Sequence, residues 1–120
     1  MGLDIFFTNK KSNQIGYFRK VNFLVKYFKD TCDLDVERQL PLPIDRENIE
    51  DLKNRCKDVL DDHSKAEELL PTMEGFFFGN TDYDEYYFGD VQNVYDYCSH
   101  LLNIFEDLQD DEQIWFEIWY

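Results

Sequence analysis

The sequence predicts an α+β domain, a small, mainly antiparallel sheet of three or four strands with three main helices packed on it. Two segments carry strand character: Leu3–Thr8 and Ile114–Tyr120 are rich in β-formers and alternate in hydrophobicity. Between them, three segments repeat apolar residues every three or four positions, the period of a helix buried on one side. The chain has 120 residues, 43% of them hydrophobic and 18% aromatic, which suits one core and exceeds what an acidic disordered segment carries. A single domain over residues 1–120 is expected.

The first strand buries Leu3, Ile5 and Phe7, and a polar turn follows over Asn9 to Asn13. Tyr17, Val21, Leu24 and Phe28 recur at helical spacing, predicting a first helix from about Tyr17 to Lys29. Leu40-Pro41-Leu42-Pro43 forbids helix and disfavours a central strand, leaving a loop with a short edge strand. Asp45 then opens a second helix as N-cap, with Ile44 and Ile49 placed as a hydrophobic staple and Ile49, Leu52, Cys56, Val59 and Leu60 as its buried stripe. Lys65 to Leu70 is a further helical turn stopped before Pro71. The apolar run between Gly75 and Gly79 predicts a short central strand. Thr81 or Asp82 is expected to cap a third helix, whose stripe runs Tyr87, Val91, Val94, Cys98, Leu101, Phe105 and Leu108.

The formal charge of −14 is unevenly placed. Residues 1–30 hold six basic residues, Lys10, Lys11, Arg19, Lys20, Lys26 and Lys29, against Asp4 and Asp30, whereas residues 66–120 hold fourteen acidic residues and no Lys or Arg. Such a surface repels nucleic acid and attracts cations or basic protein surfaces, so no direct nucleic-acid partner is expected. No stretch is long and apolar enough for a membrane span, and the start has no basic-then-apolar signal pattern, so a cytoplasmic home and no membrane partner are expected. Cys32, Cys56 and Cys98 are an odd number without close spacing, and read as buried thiols ahead of a metal or redox role, with no cofactor expected.

The opening Met-Gly-Leu-Asp, Gly16-Tyr17-Phe18-Arg19-Lys20, and Leu69-Leu70-Pro71-Thr72 followed by Gly75-Phe76-Phe77-Phe78-Gly79-Asn80-Thr81-Asp82-Tyr83-Asp84-Glu85 resemble a family of small uncharacterised phage and prophage proteins. The likeness covers most of the chain in the same order. It implies a genomic setting, in which small accessory proteins bind and block a host defence or regulatory machine, anti-CRISPR proteins among them, in the host cytoplasm. It transfers no chemistry.

Candidate functional residues fall into three groups. Asp58, Asp61 and Asp62 end the second helix and Glu106, Asp107, Asp110, Asp111 and Glu112 end the third, where the macrodipole favours cations; each misplaced charge costs on the order of 0.3–1 kcal/mol. A local rule broken twice points to binding of a basic partner, with simple solvation as the competing account. Tyr86 and Tyr97 lie off the apolar stripe of the third helix and fit either a partner interface or a place beneath the sheet or a neighbouring subunit. Asp82, Asp84 and Glu85 fit helix capping first and a hard cation second, since they lack calcium-loop spacing. His63 and His100 accompany no nucleophile motif.

These features favour a non-enzymatic inhibitor or adaptor that mimics nucleic acid toward a basic groove on a host protein. The alternative is a metal or nucleotide site, a weak hydrolase or signal sequestrant, with phosphate donors such as Arg19 and Lys20. A third reading is oligomerisation through the aromatic surface.

Overall fold

In the computed structural model, residues 2–9, 13–75, 78–108 and 112–120 are described. Strand β1 (Asp4–Thr8) pairs antiparallel with β2 (Gln14–Arg19), and the chain then turns into helix α1 (Asn22–Cys32). A short strand β3 (Leu42–Ile44) leads into α2 (Arg46–Asp61), a 3-10 turn (His63–Lys65) and a single helical turn, α3 (Ala66–Leu69). A long connection reaches α4 (Glu85–Asp107), and β4 (Ile114–Trp119) closes the sheet in the order β2-β1-β4-β3, antiparallel throughout. The predicted α+β class holds.

One sheet face is covered and the other open. Ile5, Phe7, Phe116 and Ile118 are buried beneath the helices. The Phe28 ring of α1 lies 4.3 Å from Phe116, and Tyr97 of α4 lies 5.0 Å from Phe7. Because strand side chains alternate, Asp4, Phe6 and Thr8 of β1 and Trp115, Glu117 and Trp119 of β4 point the other way. Helices α2 and α4 run antiparallel: Arg46 meets Glu106 at one end, and His63 stacks on Phe88 at the other with ring centres 3.7 Å apart.

Four sequence expectations need correction. Tyr17 to Arg19 belong to β2, so the first helix begins at Asn22. It runs on to Cys32, where Asp33 in the left-handed region (φ 56°) closes it and donates its amide to the Phe28 carbonyl. Gly75, Phe78 and Gly79 lie in the connection before α4 and form no strand, while Phe76 and Phe77, the middle of the expected central strand, fall outside the described residues. That connection is fastened by Asn22, whose amide donates to the carbonyls of Phe78 and Asn80 while its oxygen accepts from the Met73 amide. The cap of α4 is Asp84, not Thr81 or Asp82, and Leu108 lies just beyond the helix. Asp45 caps α2 as expected, in a reciprocal box with Asn48.

Candidate functional site

The antiparallel α2–α4 pair collects the acidic residues into two groups. The end of α2, with Asp58, Asp61 and Asp62, shares one end of the pair with the start of α4, Asp84 and Glu85. The opposite end joins Glu47 and Glu50 of α2 to Glu106 and Asp107 of α4, tied by the Arg46–Glu106 contact at 3.4 Å. Glu112 follows, half-exposed, in the link to β4; Asp110 and Asp111 lie outside the described residues. Between the two ends a shallow groove lined by Glu50, Lys53, Asn54, Lys57, Tyr95 and Leu102 crosses the pair, with the Lys53 ammonium 5.5 Å from the Tyr95 ring centre.

Some of these charges have local work. Asp62 accepts from the Ser64 hydroxyl at 2.6 Å and from its amide at 3.1 Å, which caps the 3-10 turn. Those two bonds hold its carboxyl below the usual range. Asp61 pairs with Lys57 at 3.0 Å, one turn back, and Glu106 with Arg46. Asp58 and Asp107 are exposed and form no ion pair among the described residues. Exposed pairs of this kind contribute about 0–1 kcal/mol, so a partner's cations can replace the internal ones at little cost.

The two tyrosines part company. Tyr86 is 76% exposed. Tyr97 turns inward instead, with its hydroxyl donating to the Ile15 carbonyl at 3.1 Å and its ring packed on Phe7 and Phe18. Burial lifts its phenol above the ordinary range. Tyr97, partly buried, therefore fastens α4 to the sheet, the second of the two places that its position off the apolar stripe allows.

Asp82, Asp84 and Glu85 do not converge. Asp84 spends its carboxylate on the Tyr87 amide at 3.0 Å, and Asp82 and Asp84, without Glu85, line a cavity of about 180 Å³ against Arg19, Lys20 and Asp90. Partial burial, then the Asp84 charge, raises the Asp90 carboxyl. Among the described residues no group of three His, Cys, Asp or Glu is placed to hold a metal ion. Basic residues near the start of the chain and carboxylates at the start of α4 thus line one cavity.

Sequence reasoning missed the open sheet face. Phe6, Tyr17, Trp115 and Trp119 lie on it together, Tyr17 45% and Trp119 66% exposed. The alternation of Trp115, Glu117 and Trp119 was the available signal, but only the covering of the opposite face tells which set stays out.

No protein-family model, curated protein or solved structure matches this chain. Among the described residues no helix is long and apolar enough to cross a membrane.

Proposed function

We propose that this is a non-enzymatic binding protein that presents the carboxylates of its α2–α4 layer to a basic, nucleic-acid-handling surface of another protein. The observation that carries the reading is the antiparallel pairing of α2 and α4, which gathers the acidic residues at both ends of the pair. From Glu85 to Glu106 the helix advances about 32 Å, close to one turn of B-form duplex at about 34–36 Å. Carboxylates at that separation match phosphates one turn apart, and the overall charge of −14 steers a basic groove toward them. The resemblance to phage and prophage proteins adds the setting: an inhibitor of host defence, of the anti-CRISPR kind.

The test is affinity capture from an expressing host at low salt, followed by competition. The expected partner is released both by duplex DNA and by raising salt from about 0.05 to about 0.5 M. A partner held equally well by a Asp58→Asn, Glu106→Gln, Asp107→Asn variant removes the support for this reading.

The cavity between Arg19, Lys20, Asp82, Asp84 and Asp90 favours a second reading, a small ligand with phosphate or amine groups. Three carboxylates on the wall oppose a phosphate there, which ranks it second. Calorimetry with nucleotides separates the two: saturable heat that Lys20→Ala abolishes assigns the function to the cavity.

A further inference from the structure

The open face of the sheet carries its own chemistry, on the side away from the helices. Phe6 and Tyr17 stand side by side with ring centres 5.3 Å apart, and Trp119 faces Asp4 across the strand pair. The polar groups between them are held in place: the Tyr17 hydroxyl and the Arg19 guanidinium both donate to one oxygen of Asp4, at 2.6 and 3.2 Å, and Thr8 donates to one oxygen of Glu117 at 2.8 Å. Asp4, Phe6, Thr8, Gln14, Glu117 and Trp119 line a shallow depression of about 420 Å³. Fixed aromatic rings with two carboxylates between them form a preorganised surface.

We infer that this face docks a short extended peptide segment of another protein, in which Lys or Arg alternates with apolar side chains. Size argues for a peptide. Three strands about 4.8 Å apart and about five residues long at 3.4 Å each give a platform of roughly 250 Å², far below the roughly 800 Å² per partner of a stable interface between folded chains. An extended segment of six to eight residues matches that area. Charge sets its composition. Single-stranded nucleic acid, which also stacks on aromatic rings, meets the carboxylates of Asp4 and Glu117 among the rings of this face, which oppose its phosphates, and a second copy brings the same carboxylates against them. Asp4 and Glu117 receive the cations, while Phe6, Tyr17 and Trp119 receive the apolar side chains.

The experiment is built into the sequence, because both tryptophans of the chain, Trp115 and Trp119, belong to this face. Their fluorescence is titrated with a capped octapeptide of alternating Lys and Val, with octapeptides of alternating Glu and Val and of alternating Lys and Ser as controls. The Lys/Val peptide is expected to shift the emission saturably, at least about tenfold more tightly than either control. An Asp4→Asn, Glu117→Gln variant, checked for an unchanged thermal melt, weakens binding at least about fivefold, whereas Glu106→Gln, Asp107→Asn leaves it unchanged. That last arm separates this surface from the acidic helix ends, so either assignment can fail alone. No shift, an equal shift with Glu/Val peptide, or a dimer in sedimentation that the Lys/Val peptide does not dissociate overturns the proposal.

Discussion

Asn22 is the residue on which the connection between α3 and α4 depends. It is 3% exposed, and three backbone groups of that connection, at Met73, Phe78 and Asn80, have it as a hydrogen-bond partner. Asn22→Ala leaves them without it in a buried setting, at a cost of about 2–3 kcal/mol in denaturant unfolding. Gly16 is constrained differently, since a Cβ there collides with the Tyr97 ring and hydroxyl. Gly16→Ala is expected to destabilise by about 1–3 kcal/mol, and Tyr97→Ala in the same background to cost less than it does alone. Asp90 supplies a pH test. Its carboxyl is raised in the folded state, first by burial and then by Asp84, so folding favours the protonated form and the charged form is a liability at neutral pH. Asp90→Asn should raise the melting temperature at pH 7, and the gain should vanish as pH falls below the unfolded carboxylate value of about 3.9. A gain that persists at pH 3 assigns the effect to packing instead.

At the scale of the element, the caps make the clearest prediction. Asp84→Ala should lower stability by about 1 kcal/mol, partly offset by relief of Asp90, while Asp82→Ala should change it by less than about 0.5 kcal/mol in the same melts. Asp45→Ala should also cost about 1 kcal/mol. The cap of α2 was legible because Asp45 stands directly between a staple residue and the helical stripe. The cap of α4 was not, because Asn80, Thr81, Asp82 and Asp84 are all competent and only the backbone (Asp84 at φ −106°, ψ −173°) chooses among them. The start of α1 was misplaced for a related reason. Tyr17 and Val21 are four apart, which imitates a helix face, while the irregular register at Phe7/Thr8 breaks the alternation that would have marked β2. Gly75 to Gly79 looked like a strand by composition alone, yet the sheet places a terminal strand, β4, at its centre, a pairing no local pattern announces. The acidic candidates were legible as a charge anomaly. Their gathering at two ends of one helix pair was not, because it depends on α2 and α4 running antiparallel.

For the whole molecule, charge and stability are expected to move in opposite directions. Neutralising Glu106 and Asp107 to Gln and Asn relieves repulsion at the end of α4 and loses the exposed Arg46–Glu106 pair, so the thermal melt should rise while affinity for a basic partner falls. A fall in both points to a structural role. The thiols report on the same global state. Cys56 and Cys98 are buried, and burial pushes the Cys98 thiol up to about 12, so both should resist alkylation at pH 8 until the chain unfolds, while half-exposed Cys32 reacts in the folded protein. Mass spectrometry after a short pulse of iodoacetamide distinguishes one adduct from three.

The pairing of β1 with β4 is also expected to set the tempo of folding. Thr8 and Glu117 meet across 109 residues, whereas β1 meets β2 through a hairpin. Closing a loop of about 110 rather than about 10 residues adds about 2 kcal/mol of chain entropy, and β3 joins β1 and β2 only through β4. Asp4 lies directly opposite Trp119, so a short linker that keeps Leu3 and Tyr120 can join the two strands if the chain is opened instead between Asp33 and Pro41. Such a circular permutant turns the most distant contact of the sheet into its most local one. It should refold several-fold faster in stopped-flow measurements with its unfolding rate nearly unchanged, which would place the β1–β4 contact in the transition state for folding.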